Sequence, residues 1–445
     1  MAISTMETYF NELAVFLDRA LLPGEVYTCT FDAEVSDFVR MNRGKIRQPG
    51  TVEQRYVRLH LIVGRKHAQH CMTVCGDLAR DREPLLQALA ALRDMVTDLP
   101  DDPHLHYATE VHSSRVVRSN PLPAPEGVVA TVLDSAQGLD LVGIYAAGPV
   151  YRGFANSLGQ RNWHEVTSFN LQWSLYHRAD KAVKTAYGGF DWSDEAFAAK
   201  MRGARERLAL LAVPAKSLEP GSYRAYLTPT AMEEIGAMLC WGGFSGRALA
   251  TRQSCLFRMQ EGAAALDASV SFSENTASGV APAFQDEGFA RPASVPLVTN
   301  GRLVGSLVSP RTAKEFELAT NGANASESPE SLDMAGGQLG GDDALAALDT
   351  GLYIGNLWYL NFSDRPACRV TGMTRFASFW VEHGRIVAPV NVMRFDDSVY
   401  RLFGEHLVGL TSESELVVSD QSYRARSVSS MRLPGAVVSE MAFTL

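Results

Sequence analysis

Few side chains in the 445 residues stand at spacings that support chemistry. His164-Glu165 is the only His-Glu pair. A zinc-protease helix needs a second histidine one turn on, with the glutamate free to activate water. Ser168 and Phe169 stand at those places, and the segment alternates as a strand does. His67, His70, Cys71 and Cys75 form a denser cluster. On a strand, His67, Cys71 and Cys75 share one face, spread over roughly 26 Å at ~3.3 Å per residue, too far for one metal. No G-x-S-x-G elbow occurs; Gly243-Phe244-Ser245-Gly246 lacks the spacing. Cys240 and Cys255 have no histidine near them in sequence and read as buried thiols. There is no P-loop, and no G-x-G-x-x-G follows a strand. Asp286-Glu287-Gly288 places an acidic pair before a glycine, a pattern that predicts a turn with glycine at positive φ.

The totals set bounds on what these residues serve. A chain of 445 residues exceeds one ordinary core, so two or more domains are expected. The formal net charge of −9 argues against a nucleic-acid partner, which calls for a basic face. Six scattered cysteines do not form a disulfide framework and fit reduced thiols. Residues 3–21 mix Glu7, Asn11, Glu12, Asp18 and Arg19 with apolar residues at helical spacing, which predicts an amphipathic helix rather than a signal peptide. No apolar stretch reaches the roughly 18 residues of a membrane span. A soluble cytoplasmic protein is the expectation.

The elements that must position these residues change character along the chain. Strands are predicted over 25–32, 36–42, 51–63 and 67–77, forming an antiparallel meander. A helix follows over 84–95. A second unit has a helix over 127–136 and strands over 139–147 and 150–154, with Gly148-Pro149 turning between them. Asn156-Ser157-Leu158-Gly159 is a polar turn leading to strands over 163–177 and 182–190. A helix over 194–213 closes this half. After a boundary near 214–221 comes a strand over 222–227, then a helix through 231–241. That helix is capped by Thr228 with Pro229, or by Thr230 with Glu233 three residues on. Helices are predicted over 246–253 and 312–318, with a short one over 398–407. Strands are predicted over 268–273, 294–299, 302–308, 352–362, 375–382, 385–393 and 427–443. Asn300-Gly301 is a hairpin turn. Residues 321–342, rich in Gly, Ser, Asn and Asp, read as a long exposed loop.

Taken in order, several of these pieces resemble the TldD/PmbA family. They are Phe154 to Gly159, with Asn156, Ser157 and Gly159; Leu218 to Tyr223, with Gly221; and Asp286-Glu287-Gly288 followed by Gly301 to Leu307. Thr320 to Ala325, with Asn324, comes next, then Gly351 to Ile354, Thr371-Gly372, and Val381 to Ile386. The resemblance covers roughly residues 25–445. It implies an α+β, two-domain fold: an N-terminal domain over 1–216 with antiparallel sheets flanked by helices, and a β-rich C-terminal domain over 217–445.

The family is linked to zinc-dependent peptide proteolysis and peptide maturation. Its TldD-like chains carry His-Glu-x-x-x-His on the helix that matches 231–241, and a later cysteine completes the metal site. Here the corresponding places fall near Ala237, Met238 and Gly242, and Leu410 to Leu445 holds no cysteine. A catalytic zinc needs three protein ligands and an open position. The resemblance is therefore to the PmbA/TldE side. It implies a non-catalytic subunit with no cofactor of its own, paired with a TldD-like metalloprotease subunit that carries the zinc, and helping to hold an unfolded peptide substrate. Dimers or tetramers, homomeric or heteromeric, are expected. The alternatives are a homodimeric peptide-binding protein of the same fold, and a hydrolase using Cys240 or Cys255. The motif positions Asn156, Ser157, Gly159, Gly221, Asp286, Glu287, Gly288, Asn324, Thr371 and Gly372 are the candidates for peptide or partner contacts.

Overall fold

The computed structural model describes residues 4–178 and 181–444, which form two sheets with helices packed against them. The first half runs α1 (Thr5–Ala20), β1 (Glu25–Asn42), β2 (Lys45–Val63), β3 (Lys66–Thr73), α2 (Leu78–Asp98), β4 (Ser114–Arg118), α3 (Pro125–Ser135), β5 (Asp140–Asn156), β6 (Arg161–Arg178), β7 (Lys181–Gly189) and α4 (Asp194–Leu210). Its sheet has the order β3-β2-β1-β5-β6-β4, with β7 sharing the outer edge of β6. Among the described residues of this sheet, β4 alone is parallel to its neighbour. The helix predicted over 3–21 is α1; its predicted first residue lies outside the described residues, as do the predicted domain ends at 1 and 445. Ser4 caps α1, its Oγ accepting from the Glu7 amide at 3.3 Å. Met6, Phe10, Leu13 and Leu17 recur every three or four residues and are buried against the sheet, each contributing about 1.5–3 kcal/mol.

Several predicted breaks are not breaks. The strands predicted over 25–32 and 36–42 are one strand, β1. Gly148-Pro149 does not reverse the chain, because β5 continues through it and its ladder with β6 runs unbroken. On the other side pairing with β1 lapses at Pro149 and Gly148, between Val150–Glu34 and Ala147–Asp37, with the register unchanged. Gly148 sits at φ +133° against the carbonyl of Val35, a place with no room for a Cβ. The strand predicted over 67–77 stops at Thr73, because Asp77 accepts from the Ala79 amide and starts α2. That helix runs through Pro84 instead of beginning there, held by a buried face of Leu85, Leu89, Leu92 and Val96.

The second half runs β8 (Gly221–Leu227), α5 (Pro229–Cys240), α6 (Gly246–Ala250), α7 (Phe257–Gln260), β9 (Phe272–Glu274), β10 (Val295–Thr299), β11 (Arg302–Leu303), α8 (Pro310–Phe316), β12 (Ser331–Met334), α9 (Ala344–Leu348), β13 (Gly351–Asp364), β14 (Arg369–Glu382), β15 (Arg385–Pro389), β16 (Arg394–Ser398), β17 (Leu407–Val418) and β18 (Ser430–Phe443). The sheet order is β11-β10-β9-β12-β18-β16-β14-β13-β8, and β8 also pairs with β18. The strands β18, β16, β14, β13 and β8 thus close on themselves. The architecture is α+β, as expected.

The stretch 321–342 is not an exposed loop. It contains β12, and it buries Glu327, Leu332 and Met334. Its polar residues satisfy one another locally: Asn324 Oδ1 accepts from Ser326 and Ser328 amides at 3.1 and 3.2 Å. The pattern expected over 302–308 shrinks to the two residues of β11, and that over 385–393 to β15. The short helix expected over 398–407 is a single wide turn, Arg401–Glu405. The two halves share a core in which Ala377 and Phe379 of β14 pack with Phe169, Trp173 and Phe197 of the first half.

Candidate functional site

Helix α5 forms because Thr228 Oγ1 accepts from the Ala231 amide at 3.3 Å, Pro229 pre-sets the first turn, and Met232, Ile235, Met238 and Leu239 make one buried face. Thr228, not Thr230, is the cap. Ala237 is exposed and has no donor atom. Met238 is 6% exposed and belongs to the apolar core. Gly242 lies past the helix end at φ +76°, beside the Arg365 guanidinium. These residues do not fit a zinc ion. Among the described residues, no group of three His, Cys, Asp or Glu side chains is arranged to hold a metal. The polar face of α5 carries Glu233 and Glu234 instead. Burial pushes Glu233 up to about 7, opposed by Lys184 of β7 and reinforced by Glu234 and Asp420. Glu234 is raised for the same first reason. The signal for this pair in the sequence is two adjacent carboxylates in an otherwise apolar helix.

Next to this face, the segment 419–429 between β17 and β18 crosses the first sheet and borders an open cavity of about 660 Å³. Asp32, Tyr56, Arg58, Cys71 and Arg152 line its sheet side, and Glu330 lines another wall. Arg152 Nε meets Asp32 Oδ1 at 2.9 Å, and Arg58 Nη1 meets Asp286 Oδ2 at 2.5 Å. Arg426 anchors the segment. It donates to the Gly148 carbonyl at 2.9 Å, the Ser168 carbonyl at 3.0 Å and Ser168 Oγ at 2.8 Å, while its amide reaches Glu34 Oε2 at 3.3 Å. Burial pushes its guanidinium down to about 10, with Glu34 opposing. Deeper, Arg291 bridges Glu274 and Glu330. Carboxylates and guanidiniums thus alternate around a solvent-open cavity, an arrangement suited to polar main-chain groups. Nothing in the sequence marks Arg58, Arg152 or Arg426 for this cavity, because the Asp286, Arg426 and Gly148 groups they reach lie 228, 274 and 278 residues away.

The motif positions divide into two groups. Asn156, Ser157 and Gly159 lie at the β5–β6 turn. Asn156 Oδ1 accepts from the Leu158 and Gln160 amides, both at 3.0 Å, Ser157 Oγ accepts from the Tyr27 amide at 3.3 Å, and Gly159 is at φ +97°. Gln160 Nε2 then donates to the Gly288 carbonyl at 2.7 Å, so this turn and Asp286-Glu287-Gly288 are joined. Gly288 sits at φ +88° against the Phe154 ring. Glu287 is pushed up to about 7, first by burial and then by the charge of Asp286. Asp286 keeps 64% of its side chain open; loss of solvent raises its carboxyl while Arg58 pulls it down. The other positions are not brought there. Gly221 begins β8 opposite Phe443, and Asn324 shapes the turn before Glu327. Thr371 Oγ1 donates to the Phe395 carbonyl at 2.9 Å, and Gly372 packs on Leu360 and Phe395.

His67 finds other partners than His70, Cys71 and Cys75. Its Nδ1 lies 2.8 Å from His60 Nε2, its Nε2 lies 3.0 Å from Asp102 Oδ2, and Arg311 meets the same carboxylate at 2.6 Å. Burial, then His67, pushes His60 down to about 4. His164 sits on β6, as its alternation predicted, with Nε2 3.0 Å from the Val280 carbonyl. Cys240, Cys255 and Cys368 are buried, and burial pushes the Cys240 thiol well up, away from nucleophile chemistry.

A family profile described as the PmbA/TldA metallopeptidase C-terminal domain matches residues 220–445, half of the chain. The same fold occurs in TldE from Thermococcus kodakarensis, at 13% identity and a TM-score of 0.78, over 98% of this chain and 100% of that one. It occurs in a Thermotoga maritima protein put forward as a modulator of a DNA gyrase, at 14% identity and a TM-score of 0.75, over 98% of this chain and 100% of that one. A Bacteroides thetaiotaomicron protein put forward in the same terms matches at 14% identity and a TM-score of 0.74, over 100% of both chains. No curated protein matches by sequence. The fold and the profile define a metallopeptidase-related protein. The chain belongs to the TldD/PmbA family.

Proposed function

We propose that this chain is a PmbA/TldE-side, non-catalytic subunit of a TldD/TldE-type zinc metalloprotease that acts in peptide proteolysis or maturation in the cytoplasm. The observation that carries this reading is that Ala237 and Met238 on α5, and Gly242 just past its end, stand at the places of the family's ligands while the helix is otherwise intact and well capped. The zinc belongs to a TldD-like partner, and this chain helps enclose that partner's site and hold unfolded peptide. The cavity under 419–429 supports the second role, with Arg58, Arg152 and Asp32 offering charged partners to main-chain groups. We place the boundary between the domains at 216/217. The net charge of −9 gives no support to a nucleic-acid role. Among the described residues, no helix is long and apolar enough to cross a membrane.

Co-expression with a TldD-like chain bearing an intact His-Glu-x-x-x-His tests the proposal. Co-purification at fixed stoichiometry, with peptidase activity that needs both chains, is the expected result. A stable homodimer that ignores the TldD-like chain and still binds peptide would replace it with the homodimeric peptide-binding reading.

A further inference from the structure

Among the described residues, the outer edge of β2 is unpaired from Lys45 to Gln54, beyond the end of β3. Pairing with β3 covers Tyr56 to Val63, whereas β2 pairs with β1 from Lys45 onward. The Arg55 carbonyl accepts from the Val74 amide at 3.1 Å, which fixes odd-numbered residues of β2 as those facing away from β1. Pro49, Thr51 and Glu53 therefore turn their main-chain groups outward, and Pro49 loses no ladder bond by lacking an N–H.

Two cavities flank this edge, one on each face of the sheet. The first, of about 620 Å³, lies against α3 and has apolar walls from Val39, Ile46, Val129 and Leu133. Three carboxylates, Asp37, Glu126 and Asp134, stand around it. Thr51 Oγ1 donates to Asp37 at 2.6 Å, and neither Glu126 nor Asp134 enters an ion pair among the described residues. The second cavity, of about 370 Å³, is lined by Phe38, Ile144 and Val52, with two cations, Arg40 and Arg424, against one buried carboxylate, Glu34. Gly50 adds no side chain between them, and a Cβ there would meet nothing within 4 Å. Successive side chains of an added strand point to opposite faces, so one strand along 49–53 fills both cavities in alternation.

We propose that the edge at Pro49 to Glu53 binds an extended peptide by strand addition. The peptide presents Lys or Arg side chains toward α3 and uncharged or acidic ones toward Arg40 and Arg424. An aliphatic stem fits the apolar wall while its cationic head meets the carboxylates at the rim. The inference rests on the reading of this chain as a peptide-holding subunit, and it assigns that role a place at the β2 edge, beside the cavity under 419–429 and sharing Arg424 with it.

Fluorescence anisotropy on the full chain alone, without a TldD-like partner, tests it. The probes are labelled acetyl-Val-Lys-Glu-Lys-Val-amide and the charge-swapped acetyl-Val-Glu-Lys-Glu-Val-amide. The first is expected to bind at least tenfold more tightly than the second. Thr51→Pro removes an outward N–H and is expected to weaken it at least tenfold. The exposed pair Glu126→Gln with Asp134→Lys leaves the strand intact and is expected to erase the preference between the probes. Equal affinity for both probes, or indifference to both sets of changes, overturns the proposal. So does a self-associated dimer that Thr51→Pro dissociates and neither peptide displaces, which makes the edge an interface between copies. Failure to co-purify with a TldD-like chain leaves this result standing, so the two readings fail separately.

Discussion

Gln160 Nε2 donates a 2.7 Å hydrogen bond to the carbonyl of Gly288, tying the β5–β6 turn of the first sheet to the acidic turn of the second half. The same nitrogen reaches Asn162 Oδ1 at 2.7 Å, and Gln160 is fully buried. Two motifs 128 residues apart are thereby one piece of structure.

Gln160→Leu leaves the Gly288 carbonyl and Asn162 without their donor. Destabilisation of ~2–3 kcal/mol is expected in urea unfolding. Faster amide exchange confined to 285–289 and 156–162 would show that the bond holds both turns. Uniform change across the chain would assign the loss to packing alone.

Arg426→Met removes the donor to Gly148 and Ser168 and leaves Glu34 facing an apolar side chain. A loss of ~3–4 kcal/mol is expected. Adding Glu34→Gln should restore part of it, a coupling that thermal or urea unfolding of the double variant measures. Strictly additive losses would mean the two residues act independently.

Glu233 and Glu287 set one limb of the pH dependence. Burial raises both to about 7, above the ordinary carboxylate value. Between about 4.5 and 7 the folded chain keeps protons that the unfolded chain has released, so stability falls as pH rises through that window. Glu233→Gln is expected to be ~1–2 kcal/mol more stable than the parent at pH 8 and equal to it at pH 4. An equal gain at both values would rule out this titration as the cause.

His60 and His164 set the opposite limb. Both are held down to about 4 by burial. Below about 6.5 the unfolded chain takes up protons that the folded chain refuses, so this stability is present above 6.5 and lost toward pH 4. His60→Gln should flatten the acid limb by ~2 kcal/mol between pH 7 and pH 4.5, read from urea midpoints.

Local signals were legible and distant ones were not. The first turn of α5 follows from Pro229, with Thr228 one of the two caps the sequence offers, and the hairpin at Asn300-Gly301 from two residues able to take positive φ. The positive φ of Gly288 follows from its place after two carboxylates. The His60–His67 contact follows once Gly64-Arg65 is taken as the hairpin turn, since Ile62 then faces His67 and His60 is its diagonal neighbour. Gly148-Pro149 misled because a composition that suggests a turn also suits a strand irregularity, and only the intact ladder on β6 decides between them. The burial of Glu327 was hidden because its partners, Ser245 Oγ at 2.6 Å and the Ser309 amide at 2.9 Å, come from other segments. The absence of histidine on α5 could be read directly. The carboxylate cluster that replaces it needed Lys184 and Asp420 brought alongside.

The central claim is that the α5 face holds no metal and that catalysis belongs to a partner. Elemental analysis of the chain purified alone, then in complex with a TldD-like subunit, tests it most directly. The account predicts well under one zinc per chain alone and one zinc per TldD-like subunit in the complex. One tightly held zinc per chain alone, surviving gel filtration and accompanied by peptidase activity, would contradict it.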